Sequence, residues 1–333
     1  YNSGTLGLAS RLSQIAHFAH FRQAELEALA TCAVGRAYPA QTGILKQGEA
    51  SLDVYVVDRG LVDIQRVTPY GPFTIAQLGS GQIFGEASFV DSSPRSGDVV
   101  ARTEAAVIAL ISAPTRELIL RDQRVAVALY WAFWKSLSTK LRSTSEQLGR
   151  FFAHAPEGGG ARPPLPKPPT GEFRLDIAAK RDLFAEQKLS SLEINFLTSL
   201  SRERKFKAGQ VVFHENDPGD AMYVVLEGRI LISKFIPGAG EEALAFLERG
   251  DYFGEMALID RAPRSAQARA HDGGAVVLSI PAEVVAGILD VRKLSSLPLL
   301  KILCGLVAKR LREVDDKIVG WYILSGGEPN QPG

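Results

Sequence analysis

Apolar residues recur along this 333-residue chain in two rhythms. Short runs rich in β-branched and aromatic residues lie between glycine turns: Met222 to Leu226, Arg229 to Phe235, Ala243 to Leu247 and Ala275 to Ile280, punctuated by Gly228, Gly238, Gly240 and Gly250. Such runs predict a compact β-barrel or roll. The second rhythm is helical. Leu303, Val307, Leu311, Val314 and Ile318 fall three or four residues apart and share one helix face. Phe133, Leu137, Leu141, Leu148 and Phe152 form a comparable stripe. Each stripe predicts a helix that follows a roll and packs on it. The later seam, beside Lys309, Arg310 and Arg312, equally suits pairing with another helix, and so a homodimer through the C-terminal helices.

The pattern is used twice. Phe84-Gly85-Glu86-Ala87, followed by Pro94-Arg95-Ser96, recurs 169 positions later as Phe253-Gly254-Glu255-Met256, followed by Pro263-Arg264-Ser265. Glutamate and arginine stand nine residues apart in both copies. Tyr55-Val56-Val57 with Gly60 recurs at an offset of 168 as Tyr223-Val224-Val225 with Gly228, while Leu78 and Gly81 match Leu247 and Gly250 at 169. A register kept over so many landmarks predicts two copies of one domain. Between them, residues 155–171 are dominated by glycine and proline, which support neither a packed helix nor a central strand. The expected partition is a first domain over 1–154 with flanking helices, a linker over 155–171, and a second domain over 172–333 with its own C-terminal helix.

Composition narrows the class. With 46% apolar and 23% charged residues the chain has the balance of a soluble globular protein, and its length suits two cores. Its 38 basic and 37 acidic residues leave a net charge of +1, so no global field favours nucleic acid or an anionic membrane. Any anion site is local. Cys32 and Cys304 lack CxxC spacing, which argues against a disulfide framework or a cysteine zinc site and for a reducing cytoplasm. The apolar stretch Ala275 to Leu289, broken by Pro281 and Glu283, is shorter than the roughly 18 residues of a membrane span. The start, Tyr1-Asn2-Ser3-Gly4, does not read as a signal peptide. His17, His20, His154, His214 and His271 provide no His-x-His pair, so neither a cupin-like metal centre nor any other metal site is expected. Without a Gly-x-Ser-x-Gly elbow, a Walker loop or a paired Cys and His, no enzyme activity is expected either.

The segment from Phe253 to Ala266 carries the chemistry. Gly254 lets backbone amides approach an anion, and a helical turn after it would aim free N–H groups at a phosphate. Arg264 adds a forked, permanently charged donor, and the Glu255 carboxylate can accept from a nearby hydroxyl. Phosphate beside a ribose hydroxyl is the implied ligand. The alternative is a structural Glu–Arg ion pair, worth less than about 1 kcal/mol at a surface, which needs neither the Phe-Gly before it nor the repeat around it. Val211, Val212 and Val225 suit either a purine pocket or, as strand valines usually do, the core.

Phe253-Gly254-Glu255-Met256-Ala257-Leu258 leading to Pro263-Arg264-Ser265-Ala266 resembles the phosphate-binding cassette of the cyclic-nucleotide-binding domain family. That family includes regulatory subunits of cyclic-nucleotide-dependent kinases, nucleotide-gated channels and the bacterial catabolite activator protein. The resemblance implies a mainly β fold with flanking helices, two eight-stranded β-rolls each followed by a C-terminal helix. It implies that Glu255 accepts from the ribose 2′-hydroxyl, that Arg264 pairs with the cyclic phosphate, that Gly254, Met256 and Ala257 present backbone amides in a cassette begun by Phe253, and that Ser265 adds a hydroxyl. In the first copy Phe84, Gly85, Glu86, Ala87, Ser88, Arg95 and Ser96 take these places, with Ser88 where Ala257 stands and Gly97 where Ala266 stands. The turn Pro218-Gly219 has Ala50-Ser51 as its counterpart, a departure that favours the second site.

The implied protein is a cytoplasmic cyclic-nucleotide sensor with no cofactor beyond its ligand, passing binding through helix movement to an effector protein. Serine after the cassette arginine resembles the catabolite activator and points to cAMP, while its hydroxyl also suits cGMP. Trp321 and Tyr322 are candidate caps over the base, or packing residues. No DNA-reading segment and no kinase-inhibitor stretch is expected. A ligand-free scaffold for protein contacts and a cyclic dinucleotide receptor stay as alternatives.

Overall fold

A computed structural model describes residues 4–152, 177–186, 191–236, 240–260 and 262–327; the expected linker over 155–171 and His154 lie outside them. Helices α1 (Thr5–Ser13) and α2 (Gln23–Ala30) lead into strands β1 (Ala33–Tyr38), β2 (Gly43–Leu45), β3 (Val54–Arg59), β4 (Val62–Thr68), β5 (Gly71–Leu78) and β6 (Ile83–Phe84). The short helix α3 (Glu86–Asp91) interrupts them before β7 (Asp98–Ala101) and β8 (Ala105–Leu110), after which come α4 (Ser112–Arg121) and the 30-residue α5 (Gln123–Phe152). The second passage runs α6 (Ile177–Glu186), α7 (Ser191–Leu200), β9 (Arg202–Phe206), β10 (Val211–Phe213), β11 (Ala221–Ile236), β12 (Gly240–Leu247), β13 (Tyr252–Phe253), α8 (Met256–Asp260), β14 (Gln267–Pro281), α9 (Ala282–Ile288) and α10 (Leu297–Leu324).

The first roll is two antiparallel four-stranded sheets, ordered β1-β8-β3-β6 and β2-β7-β4-β5. Their inward side chains, among them Tyr55, Val57, Leu78, Phe84 and Val107, form one core. The second roll follows the same path in six strands, because β11 and β14 each run unbroken where the first roll has two strands. Gly228, expected as a turn, is therefore inside β11, at a register shift against β14. Its φ of +75° and the close approach of the Gly274–Ala275 backbone, where any Cβ would collide, require glycine there. Val212 and Val225 belong to this roll's core with Tyr223, Leu247, Phe253 and Val277, and Val211 is buried too.

Packing divides the chain differently from the order of its repeats. One compact unit comprises the chain to Thr144 together with the segment from Val291 that carries α10; the other runs from Ser145 to Asp290. The last helix, expected with the second roll, thus packs with the first. Its apolar stripe is why: Leu303, Val307, Leu311, Val314 and Ile318 are all buried, with α3, β4 and β5 among its neighbours. Phe133, Leu137, Leu141 and Leu148 of α5 are buried as well. The seam that suited a second helix meets α5 inside this unit, where the Cys304 thiol donates to the Tyr130 carbonyl at 3.3 Å. Tyr322 stacks on Phe73 of β5 with ring centroids 4.2 Å apart, which makes it a packing residue of the first roll. Among the described residues no helix is long and apolar enough to cross a membrane.

If α10 is held by this stripe, Leu303→Ala lowers stability by about 2–5 kcal/mol through lost burial and a residual cavity. Leu324→Ala, at a position 77% exposed, stays within about 0.5 kcal/mol. Denaturant midpoints of the two variants check this.

Candidate functional site

In the second roll, β13 pairs with β11 so that Tyr223 faces Phe253, and their rings stack at 5.1 Å. The chain then turns at Gly254, with φ +77°, a value that directs its carbonyl toward Arg264; a Cβ here would lie 2.6 Å from the Arg264 Nη1. Arg264 is only 2% exposed. Its Nη1 donates to the Gly254 carbonyl at 2.6 Å, and its Nη2 donates to the Ala221 carbonyl at 2.7 Å and to the Asp220 carboxylate at 3.3 Å. Its guanidinium carbon sits 4.3 Å from the Phe213 ring centroid. Its own backbone is pinned on both sides, N–H to the Asp217 carbonyl and carbonyl to the Asn216 N–H, both at 2.9 Å.

Two features of this arginine are chemically suggestive. Its ion-pair partner Asp220 is 82% exposed. Its Nε is buried and has no hydrogen-bond partner. An unsatisfied buried donor on a charged group is expensive and calls for an acceptor. Glu255 and Ala257 of the same cassette are also buried, and Gly219 packs so tightly on the Ala257 methyl that a side chain there would collide.

The first roll repeats this frame. Tyr55 faces Phe84 with rings stacked at 4.9 Å, and Gly85 has φ +84°. Buried Arg95 donates through Nη1 to the Gly85 carbonyl at 3.0 Å and through Nη2 to the Asp53 carbonyl at 2.6 Å. The backbone pins recur at Glu49 and Gly48, again at 2.9 Å. The difference is at Nε, which donates to the Ser51 hydroxyl at 3.1 Å. Ser51 is the residue that replaces Gly219, so the sequence departure has a physical consequence: the first arginine's spare donor already has an acceptor. Burial lowers the Arg95 pKa, against the pull of Tyr55, Glu49 and Asp53.

Glu86 is buried, and one carboxylate oxygen, Oε1, accepts from Lys140 Nζ at 2.5 Å and from the Ser136 hydroxyl at 2.8 Å, both on α5. Ser96 and Ser265 contribute backbone instead: the Ser96 carbonyl accepts from Arg66, and the Ser265 carbonyl from Lys234 Nζ at 3.3 Å. A ring nitrogen of His20 lies 2.8 Å from the Ala128 carbonyl, and burial lowers the pKa of both His17 and His20.

Sequence reading missed the carbonyls of Asp53 and Ala221, the Phe213 ring, the α5 pair Ser136 and Lys140, and Arg312 of α10, which touches the first cassette. Ser136 and Lys140 had a weak signal, being one helical turn apart on α5. The backbone carbonyls and Arg312 had none.

Comparison with known proteins accords with this architecture. The family model for the cyclic nucleotide-binding domain matches residues 35–122 and again 203–291, and the chain belongs to that family. It is 27% identical over 263 residues to the cAMP-dependent protein kinase regulatory subunit of Dictyostelium discoideum, an overlap of 78% of this chain and 66% of that protein. It is 33% identical over 128 residues to the cyclic AMP receptor protein of Thermus thermophilus, covering 38% of this chain and 56% of that one. It is 25% identical over 251 residues to the cGMP-dependent protein kinase of Toxoplasma gondii, covering 75% of this chain but only 20% of the kinase. The chain therefore spans less than two thirds of each of these relatives.

Beside the first cassette, burial pushes the Asp315 carboxyl up to about 7, against Arg66, Lys140 and Arg312, and its Oδ1 has no hydrogen-bond partner. A carboxyl whose pKa is higher folded than unfolded binds protons preferentially in the folded state. Its stabilising contribution is complete below the ordinary value of 3.8 and is lost as pH rises to about 7. Between pH 5 and 8 the melting temperature of the wild-type chain should fall more steeply than that of Asp315→Asn; parallel profiles would contradict the assignment.

Proposed function

We propose that this chain is a non-catalytic cyclic-nucleotide sensor that binds a cyclic mononucleotide in its cassettes and passes the event on through helix movement to an effector protein. The observation that carries this reading is Arg264: a buried guanidinium held by backbone carbonyls, with a dry, unpartnered Nε. A singly charged cyclic phosphate supplies the missing acceptor and adds charge-assisted strength to it. Gly254 allows the backbone approach, Met256 and Ala257 provide amides, Ser265 offers a hydroxyl, and Glu255 accepts from the ribose 2′-hydroxyl. Phe253 supports the turn from behind through its stack on Tyr223.

The first cassette takes the same ligand through Phe84, Gly85, Glu86, Ala87, Ser88, Arg95 and Ser96, but with more contacts to exchange. The Ser51 hydroxyl already satisfies Arg95, and Lys140 and Ser136 already hold Glu86. A ribose hydroxyl arriving at Glu86 competes with the two α5 donors for the charge of one carboxylate. That competition is a direct route from ligand to helix, because a weaker hold on Lys140 and Ser136 favours an α5 displaced from the cassette.

The ligand is cAMP, in keeping with the serine that follows each cassette arginine and with the names of the Dictyostelium and Thermus relatives; cGMP, named in the Toxoplasma kinase, is the comparison to run beside it. The regulatory-subunit relative makes a protein kinase a natural class of effector. The two buried free cysteines suit a reducing cytoplasm.

Arg264→Leu removes charged hydrogen bonds worth about 1.5–3 kcal/mol each, so cAMP binding at the second site should weaken at least tenfold. Calorimetric titration of Arg264→Leu, with Arg264→Lys as a variant that keeps the charge but not the fork, measures this. Affinity equal to wild type in both would refute the cassette assignment.

A further inference from the structure

The last helix grips the first cassette through one side chain. Arg312 of α10 donates through Nε to Asp91 Oδ2 at 3.1 Å and through Nη2 to Asp91 Oδ1 at 3.3 Å, a two-pronged pairing at the end of α3. The same Nη2 reaches the Ser88 hydroxyl at 3.3 Å, in the first turn of α3, and Nη1 donates to the Pro94 carbonyl at 3.2 Å, next to Arg95. One guanidinium thus touches the cassette at three points between Gly85 and Arg95. All of these groups lie within a single compact unit.

This is more than a surface ion pair. Both partners are mostly covered, with side chains 19% and 20% exposed. One contact uses Ser88, the position where the second cassette has Ala257 and no hydroxyl to offer. The grip is reinforced on the other side of the loop, where Arg66 of β4 joins the Ser96 carbonyl to Asp316 of α10. A six-residue helix such as α3 has little stability of its own and depends on tertiary contacts for its conformation.

We propose that Arg312 is a positioning residue of the first cassette: by stapling α3 and the loop before Arg95 to the last helix, it holds the cassette in its binding-ready form. Docking of α10 then sets first-site affinity. The inference rests on the reading that the first cassette takes a cyclic mononucleotide.

The test uses the full chain with Arg264→Leu, so that calorimetric titration with cAMP reports the first site. In that background Arg312→Gln should weaken binding about tenfold, because the ligand must then order a loosened cassette itself. Asp91→Asn, which removes the main partner from the other side, should do the same, and the double variant should be little worse than either single one. In an Arg95→Leu background, which reports the second site, Arg312→Gln should leave affinity unchanged; a general loss of stability would not produce that split. Amide exchange in the ligand-free protein should rise across residues 86–92 and not in β3 or β8. First-site affinity within twofold of the parent for both Arg312→Gln and Asp91→Asn overturns the proposal while leaving the cassette reading intact. An Arg264→Leu chain that binds no cAMP, where the wild type does, overturns both.

Discussion

A buried guanidinium needs acceptors, and in this protein that need organises each roll around one arginine. Moving a full charge out of water is unfavourable by several kcal/mol even after relaxation, and Arg95 and Arg264 meet it with carbonyls from two separate segments: the cassette glycine and the chain where the facing strand begins, Asp53 just before β3 and Ala221 at the start of β11. That single requirement fixes much else. The glycine takes a left-handed conformation so that its carbonyl turns inward. The aromatic before it stacks on a tyrosine of the facing strand. The arginine's backbone is clamped by two hydrogen bonds to the loop that closes the roll. The result is a guanidinium whose orientation is fixed by backbone carbonyls in both rolls.

The two copies share this arrangement and differ in what leans on it. In the second, Arg264 keeps a spare donor and Gly219 lies against the cassette helix without a side chain between them. In the first, Ser51 meets the spare donor, Lys140 and Ser136 meet the glutamate, and Arg312 meets the cassette helix. The first cassette is tethered from both of the long helices in its unit, α5 holding its glutamate and α10 holding its short helix in place. A more poised receiver and a more heavily tethered partner are a physical basis for unequal sites within one chain.

The parts of this arrangement that were legible in the sequence are those whose chemistry needs fixed local spacing. Nine residues from glutamate to arginine, glycine after phenylalanine and the tyrosine strand ahead of them are set by the geometry of one loop on one sheet, so they repeat visibly. Helical stripes were legible for a similar reason, yet a stripe says only that a face is covered and not what covers it. That is why α10 was assigned to the roll it follows while its leucines and valines pack with the first. Gly228 read as a turn because glycine punctuates strands, whereas the close approach of Gly274 keeps it inside β11 as a bulge. Arg312 and Asp91 are separated by 221 residues, and no local periodicity registers a contact of that range. The glutamate partners on α5 were invisible because lysine and serine on a helix ordinarily face water.

The central claim is that each buried arginine is the anchor of a cyclic-nucleotide site, and the stoichiometry of the unmodified chain tests it most directly. Calorimetric titration with cAMP, run beside cGMP and a cyclic dinucleotide, reads affinity and number of sites together. The account predicts saturable binding of two cyclic mononucleotides per chain, the tighter at the second roll. No heat and no thermal shift with any of the three would contradict it and leave the rolls as ligand-free scaffolds.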